Sequence, residues 1–484
     1  VEVGDGWFFE GAWDGPFEEG DFTGATAVVG TGGRAIPGGV TFAAPTDLYQ
    51  HLTSIRLGDR LWISNSLVFT FVLAVDRPDI GYPYYLFDIL QATRWGRRKP
   101  ETELRTHLNN RIIIHKLGNV TVTPDLGMTW HPGRLSPEPR DYRNHVDILE
   151  TTLRRLFENG AHPGRRRQFS PLTTISGGYD SPAVSALAAR AGCSQAVTIS
   201  GGEVDDRDNG QEIAGYLGLE VTVIPRLGHL ELPGTPEAEF CAAGGMLQCI
   251  MFSSLGESLA GRMFLLGRAG DAIWEDDNLY NFPDYFTPLN WNFGSATLNE
   301  IRLRLGFIHW SVLHHCYPHA PKLFEITSSA EMDPWHVPGN YDRPIPRRIL
   351  ETAGVPRESF GQKNMGSAYI SVNSPLEMNR NSREDFELFC RSEDIPAWFP
   401  AGLIRRPLDL FFIFLDAIFF ITTRLPGKRK RLFKLLAPML LLSDRRRFDW
   451  RYKLKHLYLF HWGFDRIKDR YGFTMDDPGD GGDR

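Results

Sequence analysis

Residues 176–181 read Ser-Gly-Gly-Tyr-Asp-Ser, with an apolar, β-like run before them (Leu172-Thr-Thr-Ile175) and a helix-forming run after them (Pro182-Ala-Val-Ser-Ala-Leu-Ala-Ala-Arg190). Strand, glycine turn and helix in that order form a geometry that gathers anions. The glycines let backbone N–H groups approach a phosphate, and the helix N-terminus adds its positive end. Ser176 and Ser181 supply hydroxyl donors, and Pro182 suits a first helical turn. Asp180 would repel a bare phosphate, so the pattern makes sense with a divalent cation between carboxylate and phosphate. No Gly-x-x-x-x-Gly-Lys-Ser/Thr string occurs, which argues against transfer of a terminal phosphate.

The stretch around this loop alternates helix and strand. Val146, Leu149, Leu153, Leu156 and Phe157 fall at helical spacing within 144–159. Strands are expected at 172–175, 195–200, 220–224 and 263–266, and helices over 205–217 and near 244–260. Repeated β-α-β predicts an α/β region with a parallel sheet, ligands lying at the carboxyl ends of its strands. Gly267-Arg-Ala-Gly-Asp271 directly follows the fourth strand. Asp180 and Asp271 are therefore expected to face one crevice, where two carboxylates and phosphate oxygens make a normal magnesium site.

Three regions are expected: 1–135, 141–400 and 401–484. The first is rich in Gly and aromatics, with short runs such as 27–29, 39–42, 61–64, 111–114 and 119–122, and reads as largely β. Trp130–Arg140 reads as a linker. Of the chain's 484 residues, 42% are hydrophobic and 23% charged, ordinary for a globular protein, and the net charge of −6 argues against a nucleic-acid partner. Five cysteines at 193, 241, 249, 316 and 390 show no paired spacing, and no signal-peptide pattern opens the sequence, so a cytoplasmic location is expected.

The last region differs from that average. Residues 401–470 carry 17 Lys/Arg against six Asp/Glu. A helix over Leu408–Thr423 would span about 24 Å, short of a bilayer core of about 30 Å. Apolar faces between the basic clusters 428–431 and 445–447 suit either peripheral contact with an anionic inner-membrane surface or burial against the rest of the chain. The Gly- and Asp-rich tail 476–484 reads as disordered. His314-His-Cys-Tyr-Pro-His319 fits no standard zinc spacing.

The hexapeptide and the later Gly-x-x-Gly-Asp resemble the asparagine synthetase family of the N-type ATP pyrophosphatases, or PP-loop superfamily, with its β-lactam-synthetase and lasso-cyclase relatives. The resemblance covers about residues 40–370. It implies a parallel sheet of the HUP/PP-loop type, preceded by a β-rich glutaminase-like (Ntn-type) domain and here followed by a helical extension. It implies ATP and Mg2+ as cofactors. The nucleotide-contacting set would be Ile175, Ser176, Gly177, Gly178, Asp180, Ser181, Ile199, Gly267 and Asp271, with Asp180 and Asp271 as the metal ligands. Lys363 matches the family's phosphate-contacting lysine.

Departures from the family pattern shape the functional reading. No cysteine occurs before Cys193 and residue 1 is Val, so the first domain is expected to be a degenerate glutaminase. Arg268 stands where the family has a glutamate, and Ala272 follows the aspartate in place of another. Arg268 is therefore expected to clamp a carboxylate or phosphate, and Glu275 is a candidate replacement base. The resemblance implies a carbon–nitrogen ligase that activates a small-molecule or glycan carboxylate as its acyl-adenylate and joins it to an amine or ammonia. The alternatives are a PP-loop sulfurtransferase or nucleobase-modifying enzyme, and a catalytically dead nucleotide-binding scaffold at a membrane.

Overall fold

The computed structural model describes residues 1–86, 88–89, 100–200, 209–244, 249–274, 281–282, 285–286, 298–339, 341–362, 378–395 and 458–472. It is a mixed α/β structure with a five-stranded parallel sheet, antiparallel sheets and helices. The parallel sheet has the strand order Glu220–Pro225, Gln195–Ser200, Ser170–Thr174, Arg262–Leu266 and Ile308–Ser311. Numbered along the chain, that order is 3-2-1-4-5. The direction of crossover reverses between Ser170–Thr174 and Arg262–Leu266, and a crevice opens at such a reversal beyond the carboxyl ends of the two strands. Their central residues are apolar and buried (Leu172, Met263, Phe264, Leu265), as a sheet covered on both faces requires.

Most elements form where the hydrophobic pattern places them. The 19-residue helix Tyr142–Gly160 buries Val146, Leu149, Leu153, Leu156 and Phe157 on one face, and Asp141 caps it by accepting from the Asn144 N–H. Two expectations are corrected. Of the helix expected near 244–260, residues 245–248 lie outside the described residues, and Ile250–Leu259 is instead a 3-10 segment broken where Gly256 takes φ 49° and ψ −132°. The linker expected from Trp130 begins within a strand, Met128–Pro132, which pairs with Gly118–Val122 while the Trp130 indole donates to the Lys116 carbonyl. Residues 201–208, and with them the start of the helix expected over 205–217, lie outside the described residues; Gln211–Tyr216 is helical.

The described strands between residues 2 and 132 form two antiparallel sheets. One has six strands, from Glu2–Gly4 to Met128–Pro132, and the other has four, in the order Arg60–Ser64, Leu52–Leu57, Arg111–His115 and Glu101–Arg105. These sheets are fastened to the parallel-sheet region by buried polar contacts. Asp47 accepts from the Ser311 N–H at 2.7 Å, Gln50 donates to the His309 carbonyl, and Arg302 Nη1 donates to both Glu10 carboxylate oxygens at 2.7 and 2.8 Å. Burial alone would raise the Asp47 carboxyl, but the adjoining His314 and the backbone N–H of Ser311 hold it well below the usual range.

The helix Leu459–Ile467 closes the structure. Gly463 packs against the backbone of Ala238 and Ala242, where a methyl group would collide. Phe460 stacks on Tyr85, Phe464 meets Phe71, and the Trp462 indole donates to Asp385. This described part of the C-terminal region is therefore core. The Leu408–Thr423 segment and the 476–484 tail lie outside the described residues. No helix among the described residues is long and apolar enough to cross a membrane.

Burial depresses His51 and His145 to about 3 and His309 to about 4. The unfolded chain takes up these protons below about pH 6.5, whereas the folded chain refuses them until about pH 3–4. Stability should thus be full above pH 6.5 and fall as pH drops through that window, by about 1.4 kcal/mol per pH unit for each imidazole. Thermal melts from pH 7 to 4.5 check this, and a flat melting temperature would contradict it.

Candidate active site

The switch-point crevice carries both glycine motifs. Ser170–Thr174 runs into the 176–181 loop, which turns into the helix Asp180–Arg190 with Tyr179 at its cap. The loop is closed internally. Ser176 and Ser181 share a hydroxyl–hydroxyl bond of 2.9 Å, and the Gly178 N–H donates to the Ser176 hydroxyl at 3.3 Å. The Ile175 N–H is held by the Val197 carbonyl, and the Gly177 carbonyl accepts from the Gly361 N–H at 2.9 Å. Both flanks of the turn are thus pinned to their neighbours. Ile199 sits one strand away, paired with Ile224 near the same end of the sheet.

The second motif leans directly on the first. A Cβ on Gly267 would collide with the backbone of Ser181, and a Cβ on Gly270 would collide with the Asp180 carboxylate. Only residues without side chains permit that approach. Ala269 between them takes φ 69°, and the short helix Gly270–Ile273 begins immediately after it. Asp271 is therefore the residue following one that touches Asp180; its side chain lies outside the described residues. The motif is anchored beyond by Trp274, whose indole donates to His145 Nε2 at 3.0 Å. Burial keeps His145 neutral, which preserves that acceptor lone pair.

The predicted catalytic side chains divide. Lys363 and Glu275 lie outside the described residues. The Arg268 guanidinium contacts Cys249 Sγ at 3.2 Å and lies 5.7 Å from the centre of the Tyr49 ring, at the junction with the antiparallel sheets. The guanidinium beside the loop belongs instead to Arg343, which sequence reasoning did not single out. Its Nη1 is 2.7 Å from Asp180 Oδ1, with the two side chains only 7% and 19% exposed. One turn further along the same helix, buried Arg347 donates to the Tyr179 hydroxyl and lies over its ring. Tyr179, the fourth residue of the hexapeptide, is buried between Tyr341 and Phe360, and burial pushes its phenol up. The only sequence signal for Arg343 was its place before Pro344, which marks a helix start and names no partner.

These residues fit a cation-bridged polyphosphate. A cradle without Cβ atoms adjoins a carboxylate, two hydroxyls and a helix N-terminus, with two guanidinium groups behind. No cluster of three His, Cys, Asp or Glu side chains among the described residues forms a metal cage. No protein-family model matches the chain, and no curated protein matches it.

Gly270→Ala tests the cradle. A methyl group pressed onto Asp180 should weaken binding of ATP with Mg2+ at least tenfold by calorimetry, while far-ultraviolet circular dichroism stays that of the wild type. Unchanged affinity would mean that the nucleotide does not approach this carboxylate.

Proposed function

We propose that this chain is an AMP-forming, asparagine-synthetase-like ligase with a PP-loop, HUP-type nucleotide domain. The observation that carries the reading is the contact of Gly270, the residue before Asp271, with the Asp180 carboxylate at the switch point of the parallel sheet. That contact supports the reading that two acidic positions, 91 residues apart in the sequence, serve one phosphate site.

In the proposed reaction a substrate carboxylate oxygen attacks the α-phosphorus of ATP. The bond from that phosphorus to the bridging oxygen breaks, and pyrophosphate leaves with the electron pair. An amine nitrogen then attacks the acyl carbon of the adenylate, AMP departs, the nitrogen loses a proton and an amide forms. The Ser176 and Ser181 hydroxyls and the loop backbone would hold the departing pyrophosphate, and Asp180 and Asp271 would hold Mg2+, which offsets its charge. Lys363 would add a point charge to the same phosphates. The carboxylate is proposed to belong to a small molecule or glycan, and the nitrogen to an amine or ammonia.

The sulfurtransferase alternative needs a reactive thiolate. All five cysteines are buried, and burial pushes the thiols of Cys193, Cys241, Cys249 and Cys316 up. The Arg343–Asp180 pair favours a second reading, a nucleotide-binding scaffold without turnover, because it neutralises one of the two acidic positions.

Incubation with ATP, Mg2+ and a panel of carboxylates should release AMP and pyrophosphate, and Asp180→Asn or Asp271→Asn should each lower the rate at least 100-fold. ADP as product would overturn the ligase proposal, and ATP binding without any turnover would favour the scaffold.

The chain is further proposed to be cytoplasmic, with peripheral contact to an anionic membrane through 401–470. Flotation with anionic vesicles should therefore depend on 401–457. A variant in which the basic clusters 428–431 and 445–447 are replaced by glutamine should stay at the bottom of the gradient, and equal flotation would remove the membrane from the proposal.

A further inference from the structure

The Gly177–Gly178 peptide at the tip of the loop is held by a residue far away in the sequence. No cis peptide bond occurs among the described residues, so the Gly177 carbonyl and the Gly178 N–H leave their shared plane in opposite directions. Glycine on both sides removes the side chains that would hinder rotation of that plane. Depending on which way the plane turns, the inside of the loop receives an N–H, which attracts a phosphate oxygen, or a C=O, which repels it.

Gly361 makes that choice. Its N–H donates to the Gly177 carbonyl at 2.9 Å and keeps the carbonyl on its own side of the loop. The Gly178 N–H is thereby turned to the other side, where it donates to the Ser176 hydroxyl at 3.3 Å, and that hydroxyl is bonded to the Ser181 hydroxyl at 2.9 Å. The donor is itself fixed. Gly361 takes φ 64°, and a Cβ on it would collide with the Tyr179 ring. Tyr179 packs edge-on against Phe360, and its hydroxyl is held by Arg347. The Gln362 side chain braces the turn by donating to the carbonyls of Arg357 and Phe360, both at 3.0 Å, and the Ser359 hydroxyl donates to Glu212 at 2.9 Å.

We propose that Gly361 is a positioning residue of the loop: by fixing the Gly177 carbonyl it aims the Gly178 N–H at a phosphate oxygen of the nucleotide. The inference rests on the nucleotide-binding reading above and adds to it the residue that sets the polarity of the glycine turn. Gly361 acts through Gly178 and needs no contact with the phosphate. Its requirement for glycine follows from the left-handed backbone and from the Tyr179 ring, which together exclude any side chain.

The test uses the full chain and two probes. Pyrophosphate with Mg2+, read by calorimetry, needs the loop N–H; adenosine, read by saturation-transfer NMR, has no phosphate and does not. In Gly361→Ala the methyl group pushes the residue 361 N–H off the Gly177 carbonyl and leaves the peptide free to turn over. Pyrophosphate should then bind more weakly by about tenfold, the loss that goes with one hydrogen bond to a charged group. Adenosine should bind as it does to the wild type. A merely structural glycine would weaken both probes together or neither, and either result overturns the proposal. The wild-type chain gives a second measurement. A phosphate on the Gly178 N–H stops the peptide from turning, so the Gly361 amide should exchange its hydrogen about threefold more slowly once pyrophosphate and Mg2+ are added. Unchanged exchange overturns the proposal, and this measurement decides alone if the variant does not fold or adenosine binds too weakly to read. Wild-type chain that binds no pyrophosphate would remove the nucleotide site itself and the proposal with it. Wild-type binding with Gly361→Ala unchanged would remove only the role of Gly361.

Discussion

Two strand-end loops of this protein touch because Gly267 and Gly270 have nothing beyond Cα. Any side chain at either position would strike the first loop, at the Ser181 backbone or the Asp180 carboxylate. Each strand presents its following loop at the same end of a parallel sheet, so the sheet supplies the neighbourhood. Contact at van der Waals distance is a stronger condition, and two glycines meet it. Around that contact the remaining features are supports: the Trp274–His145 bond behind the second loop, the Gly361–Gly177 bond across the first, and the Tyr179 ring wedged against Tyr341 and Phe360.

Asp180 at a helix N-terminus beside two hydroxyls would be a plain cation ligand if it stood alone. Arg343 changes that, because a carboxylate with a guanidinium at 2.7 Å is already neutralised. Buried pairs of this sort contribute little net stability compared with apolar packing, so their presence in a crevice asks for an explanation beyond folding. Arg268, by contrast, is turned toward Cys249 and Tyr49 and ties the second motif to the antiparallel sheets.

The amino-acid pattern made the parallel strands and the hexapeptide loop legible because both are local. Gln195–Ser200 and the helix after the loop follow from apolar periodicity and glycine placement within a dozen residues. Arg343 was not legible. Its partner lies 163 positions away, and nothing in Asp-Arg-Pro names it. The 3-10 segment Ile250–Leu259 was misread because its composition is that of a buried helix while Gly256 breaks the path. Met128–Pro132 was misread because Pro and Gly around it signal a loop, whereas an edge strand tolerates a terminal proline. The polar layer that joins the sheets, Asp47 to Ser311 and Glu10 to Arg302, spans separations of 264 and 292 residues and leaves no local trace.

The hydroxyl of Tyr471 meets that of Ser66 at 2.9 Å and also reaches Glu300, closing a loop of 405 residues. Ser66 caps the helix Leu67–Leu73, whose apolar face is completed by Phe460 and Phe464 from the same C-terminal segment. The strands of the antiparallel sheets precede this covering segment by several hundred residues, so synthesis completes the sheets long before their covering. During that interval Phe71 and Tyr85 stay uncovered. Until then the growing chain carries exposed apolar surface, the condition under which partly folded chains aggregate.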